Sequence, residues 1–136
     1  MGTEASSKKF VLVVDDDPDI RESLETVLGI HGHRVATAAD GSEAIDLLRR
    51  ESGRRPCLIL LDLMMPGMNG FEFRAELEAD PTFAKIPVII ITGAGVLVDE
   101  KAAASLRAEV LRKPFDLKAL LTTVKRFCNA GGYATA

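Results

Sequence analysis

Residues 57–70 read CLILLDLMMPGMNG, and the parsing of this stretch decides the fold. Leu58-Ile59-Leu60-Leu61 is an unbroken apolar run that delivers one carboxylate, Asp62, and then meets turn formers in Pro66-Gly67 and Asn69-Gly70. Four consecutive apolar residues bounded by turns read as a strand buried on both faces, as in a parallel sheet covered by helices. Ligands of open parallel sheets bind outside the carboxyl ends of the strands, where Asp62 would sit. An isolated aspartate serves equally well as an N-cap or turn carboxylate. Its meaning therefore rests on what else reaches the same edge.

Upstream and downstream the same grammar repeats. Phe10 to Val14 is a second apolar run and ends in Asp15-Asp16-Asp17-Pro18. Ile20, Leu24, Val27 and Leu28 then keep one helical face until the segment from Gly29 to Gly32. Arg34 to Ala38 gives a short strand, and Asp40 with Glu43 three residues on starts a helix burying Ala44, Ile45 and Leu48. Ser52-Gly53 ends that helix, and Pro56 leads into the quoted strand. Beyond the strand, Asn69 and Glu72 form a cap pair for a helix carrying Phe73 and Leu77, which stops before Pro81. Val88 to Ile91 is a fourth apolar strand, closed by Thr92-Gly93-Ala94-Gly95. A weakly patterned helix is expected from about Val98 to Leu106, then a short strand, Val110 to Arg112, terminated by Lys113-Pro114. Asp116 caps the last helix, whose Leu117, Leu120, Leu121, Val124 and Phe127 form an amphipathic stripe.

Strands alternating with helices over short connections require a parallel sheet with right-handed crossovers and helices on both faces. The 136 residues suit one α/β domain, with 47% hydrophobic and 27% charged residues as in ordinary globular chains. The expected organisation is a flexible segment over residues 1–9, a domain over 10–129 and a flexible tail over 130–136. A net charge of -3 argues against direct nucleic-acid binding, which leaves a basic footprint. MGTEASSKK contains no apolar core of signal-peptide length and nothing approaches a membrane span, so a cytoplasmic protein with no membrane insertion is expected. Cys57 and Cys128 lack metal-ligand spacing and read as buried, reduced thiols.

All strand ends then share one edge, which collects Asp15 and Asp16 from the first strand, Asp62 from the third, Thr92 from the fourth and Lys113 from the fifth. Two carboxylates about 4 Å apart at an effective dielectric near 20 repel by roughly 4 kcal/mol, which a cation relieves. An all-oxygen site with room for water suits Mg2+, with Mn2+ as a substitute. Lys113 supplies a second positive charge and Thr92 a hydrogen-bond donor, so the cluster can accept a phosphoryl group. Carboxylates act as nucleophiles in forming aspartyl-phosphates, which casts Asp62 as acceptor and metal ligand and Asp15 and Asp16 as metal ligands.

VLVVDDDPDIR, LILLDLMMPGMNG, PVIIITG and LRKPF, in that order and spacing between Phe10 and Cys128, resemble the receiver domain of two-component response regulators. The resemblance implies a flavodoxin-like sheet of order 2-1-3-4-5 that takes a phosphoryl group from a sensor histidine kinase or a histidine phosphotransfer protein. It makes Asp15 and Asp16 the acidic pair, Asp62 the phosphoacceptor, Thr92 the switch hydroxyl, Lys113 the phosphate-contacting lysine and the Met64 carbonyl a metal ligand. It further implies a cis bond before Pro114, and a downstream protein docking on the face of the fourth helix, fifth strand and last helix. The first helix would face the kinase, with Arg21 and Leu24 as contacts. Such a chain catalyses its own phosphorylation without being a conventional turnover enzyme, whether free-standing or part of a longer regulator or hybrid kinase.

Departures are as specific as the matches. Val110 stands where the family often has an aromatic switch residue, Gly93 replaces a frequent alanine, and Ser105 to Glu109 lacks the usual glycine and acidic residue. Met64 and Ala94 carry no group to orient an attacking water, so slow loss of phosphate is expected. Two other readings compete: a haloacid dehalogenase-type phosphatase using the Asp15 and Asp17 pair, and a phosphorylation-independent interaction domain. Asp17 precedes Pro18 without the following residues a phosphatase of that type requires. His31 and His33 read as solvated turn residues, Arg49-Arg50 and Arg54-Arg55 as solvated charges, and Met64, Met65 and Met68 as apolar gap fillers.

Overall fold

Apolar runs without polar interruption have to be covered on both sides, and the computed structural model of the chain shows how. It describes residues 9–50, 55–63, 65, 67–93, 109–112 and 116–128, with Thr92 described by its backbone alone. Five strands, β1 (Phe10–Val14), β2 (Val35–Ala38), β3 (Pro56–Asp62), β4 (Val88–Thr92) and β5 (Glu109–Arg112), pair in parallel in the order β2-β1-β3-β4-β5. Four described helices accompany them: α1 (Pro18–Ile30), α2 (Gly41–Arg50), α3 (Gly70–Ala79) and α4 (Leu117–Cys128). This is the expected flavodoxin-like α/β sheet. The helix expected at 98–106 and the peptide bond before Pro114 lie outside the described residues.

Successive strand residues point to opposite faces, and the core divides accordingly. Leu12, Val14, Ile59, Leu61, Val88 and Ile90 meet Ala44, Ile45 and Leu48 of α2 and Phe73 and Leu77 of α3 on one side. On the other side, Val11, Val13, Leu58, Leu60, Ile89 and Ile91 meet Leu24 and Leu28 of α1 and Leu120 and Val124 of α4. Met65 and Met68 fill space in the first of these clusters, as gap-filling methionines do. Val110, opposite Ile90 in the sheet, packs against the same cluster. Among the described residues no helix is long and apolar enough to cross a membrane.

Leu24 is 5% exposed and belongs to the stripe that α1 turns toward the sheet, one helical turn before the fully buried Leu28, so it is not available to a partner. Cys57 and Cys128 are not reduced thiols: they are joined by a disulfide, with Cα atoms 5.1 Å apart. The last turn of α4 returns to the start of β3, bringing together two cysteines 71 positions apart at a Cα separation that a disulfide spans.

The turn from α1 to β2 carries a pH effect. Gly32 adopts a left-handed φ of 90°, letting the N–H groups of Gly32 and His33 donate to the carbonyls of Gly29 and Leu28. His33 is half-buried there, not freely solvated, and burial, then the nearby His31, lowers its pKa from the ordinary 6.5. The folded state thus favours neutral His33 and the unfolded chain takes up the proton first on acidification. Its contribution is fully present above pH 6.5 and is lost as pH falls through 6.5 toward the lower folded value. Thermal midpoints should therefore drop between about pH 7.5 and about pH 5.5, and His33→Gln should flatten that slope. Equal slopes in both proteins would refute the assignment.

Candidate functional site

Register places the acidic residues before any side chain is considered. Val14 lies opposite Leu61, so the chain positions that follow, Asp15 and Asp62, leave adjacent strands at the same level. The order β2-β1-β3 makes this the point where connections diverge to the two sides of the sheet, the crevice in which α/β sheets bind ligands. One carboxylate oxygen from each of Asp15, Asp16 and Asp62 lies within 4.8 Å of the others. Asp15 is 2% and Asp62 9% exposed, whereas Asp16 is open to solvent. Two sheltered carboxylates and one wet one form an all-oxygen donor set that leaves room for water, which suits a small hard divalent cation.

The turn that presents Asp15 and Asp16 is held from three directions. Asp15 N–H donates to the Ala38 carbonyl at 3.1 Å, its Oδ1 accepts from Asp17 N–H at 2.9 Å, and its carbonyl accepts from Arg21 Nη1 at 2.8 Å. Arg21, half-buried and expected to face a partner, ties the first turn of α1 to the acidic turn. The role was missed because a guanidinium six residues downstream meets a backbone carbonyl only after the helix folds over the strand end. Asp17 is the N-cap of α1, its carboxylate accepting from Asp19 N–H at 2.9 Å with Pro18 opening the helix. Asp17 thus serves as a helix cap beside the acidic turn.

On the other side of Asp62 the chain closes tightly. Asn69 and Glu72 form a reciprocal capping box at the start of α3, each side chain accepting from the other's N–H at 2.9 Å. Gly70 N–H donates to the Leu63 carbonyl at 2.9 Å, and a Cβ on Gly70 would lie 2.8 Å from Leu63 Cδ1 and 3.0 Å from its Cα. The space belongs to backbone directly attached to Asp62. Gly70→Ala should therefore displace this loop, cost about 1–3 kcal/mol in urea unfolding and disturb the acidic cluster, whereas Gly29→Ala, with open space around its Cα, should be tolerated. Equal stability of Gly70→Ala and wild type would contradict the close fit.

Of the other expected site residues, Thr92 is placed by its backbone one step beyond Ile91, which pairs with Asp62. Its side chain, Lys113, Met64 and Ala94 lie outside the described residues, as does Arg54. Arg49 and Arg50 are exposed in the last turn of α2, as expected, and exposed Arg55 donates to the Thr82 carbonyl at 3.0 Å.

Comparison with known proteins bears on this geometry. Residues 11–125 match the family model described as the response regulator receiver domain. The chain is 36% identical over 115 residues to protein PilH of Pseudomonas aeruginosa, covering 84% of this chain and 93% of that protein. It is 39% identical over 119 residues to the DNA-binding response regulator MtrA of Mycolicibacterium smegmatis, covering 87% of this chain and 50% of MtrA. It is 34% identical to the probable transcriptional regulator ycf27 of Guillardia theta, and the chain spans about half of that protein, 51% of its length. Among solved structures, the chemotaxis protein CheY4 of Vibrio cholerae superposes with a TM-score of 0.76 at 31% identity, covering 88% of this chain and 98% of CheY4.

Proposed function

This chain belongs to the response regulator receiver family, and from that membership we propose that Asp62 takes a phosphoryl group from the phosphohistidine of a sensor histidine kinase or a histidine phosphotransfer protein. The observation that carries the proposal is the convergence of Asp15, Asp16 and Asp62 within 4.8 Å at the carboxyl ends of β1 and β3. An Asp62 carboxylate oxygen attacks phosphorus, the P–N bond to the donor imidazole breaks as the P–O bond forms, and the imidazole leaves with a proton. Asp15, Asp16, Asp62 and the Met64 carbonyl would hold Mg2+, or Mn2+ in its place. Bound there, such an ion would offset the carboxylate charges and supply electrostatic stabilisation to the transferring phosphoryl group. The Lys113 ammonium and the Thr92 hydroxyl are assigned to the same oxygens by the resemblance in sequence. Arg21 keeps Asp15 and Asp16 aimed at the site through the Asp15 carbonyl.

Phosphorylation then switches a protein contact on the surface of the 98–106 segment, β5 and α4. Supporting this, exposed Leu117 lies with Leu121, Lys118 and Lys125 around a shallow surface depression on α4. We assign the chain no nucleic-acid contact of its own, in keeping with its charge of -3, and retain the expected cytoplasmic setting. MtrA is named as DNA-binding, but the match spans only half of it. The test is incubation with acetyl phosphate or a phosphorylated histidine phosphotransfer protein, with and without Mg2+, followed by intact mass measurement. One phosphoryl group per chain, gained only with the divalent ion, is the expected result; no uptake from either donor class would overturn the proposal.

A further inference from the structure

We propose that Cys57 and Cys128 are a redox-responsive clamp: oxidised, they fasten the end of α4 to the start of the acceptor strand β3, and reduced, they release it. Leu120 and Val124, fully buried, anchor the middle of α4. Its last turn is different: Lys125 and Arg126 are exposed, and only Phe127 and Cys128 are partly buried. Arg126 reaches Glu109 at 2.7 Å, but both side chains are more than half exposed, a setting in which an ion pair contributes little. Helix ends are held less firmly than their middles, and among the described residues the covalent bond is the strongest restraint on this turn.

The bond also closes a loop of 71 positions running from β3 through Asp62, β4 and β5 to the end of α4. It ties the strand that carries Asp62 to the helix that borders the exposed Leu117 surface. Cys57 is 9% exposed at the sheet's opposite edge from Asp62, and Cys128 is the more accessible partner. That asymmetry sets the order of exchange with a low-molecular-weight disulfide such as oxidised glutathione. The Cys128 thiolate attacks the reagent and displaces one thiolate. The Cys57 thiolate then attacks the Cys128 sulfur and displaces the second. Two protein thiols become one disulfide, one reagent disulfide becomes two thiols, and no other oxidant is needed.

The test equilibrates the full chain in glutathione buffers of stepped reduced-to-oxidised ratio, quenches with acid and counts free thiols by maleimide mass shift. Both thiols should disappear together in one reversible transition, giving a monomer with an internal bond. Amide exchange at residues 125–128 should slow by about tenfold on oxidation of wild type, and not in Cys57→Ser or Cys128→Ser. A glutathione adduct, an intermolecular dimer, a bond that persists at every ratio, or equal exchange in the two states would each overturn the clamp. None of these readouts involves Asp62, so the result is separable from the phosphoryl proposal.

Discussion

Asp62→Asn is expected to take up no measurable phosphoryl group from acetyl phosphate or a phosphohistidine donor, while folding as wild type does. An amide of the same shape has no anionic oxygen, so attack on phosphorus is lost while packing is retained. Loss of a nucleophile in covalent transfer costs roughly three orders of magnitude in rate or more. The fold should not suffer, because Asp62 lies within 4.8 Å of two other carboxylates and the substitution removes a like charge from a sheltered site. Stability equal to or above that of wild type, with uptake abolished, is the combined signature. Asp16→Asn should behave differently: it keeps the acceptor but thins the exposed side of the donor set, so uptake should need more Mg2+. Phosphoryl label persisting at wild-type level in Asp62→Asn would place the acceptor elsewhere.

Phe73→Ala should be the most damaging single core substitution, costing about 3–5 kcal/mol. Phe73 is fully buried and is the largest side chain that α3 sends into the core. Its helix has few other apolar anchors, chiefly Leu77, with Arg74 buried beside it and paired to Glu78 at 3.1 Å. Against a total stability of about 5–15 kcal/mol for a domain of this kind, that loss is a large share. The effect should reach the site, because the capping box that opens α3 also closes the chain following Asp62. Urea unfolding should show a lowered midpoint with unchanged slope, and Phe73→Leu should recover more than half of the loss. A loss below about 1 kcal/mol would mean that the core can collapse into the cavity.

Most of the architecture was legible because its cues are local. Each apolar run, its closing turn and its caps lie within a few residues of one another, and Asp40 with Glu43 and Asn69 with Glu72 bond as their spacing predicts. Where local cues conflicted, packing decided. Leu24 carries both the helical stripe that buries it and a place on a helix expected to meet a partner, and the sheet claims it. The acidic cluster was foreseeable as a set of strand ends. Its closeness was not, since that depends on the β1–β3 register.

By itself the sequence determined the alternation of strands and helices, the parallel sheet and the edge at which Asp15, Asp16 and Asp62 gather. Those properties follow from hydrophobic period and strand polarity, which are carried in every short window of the chain. Tertiary structure alone decided the approach of the three carboxylates, the bond from Arg21 to the Asp15 carbonyl, and the joining of Cys57 to Cys128. Each depends on where one element crosses another, a relation set by packing between residues distant in the chain, and no local pattern records it.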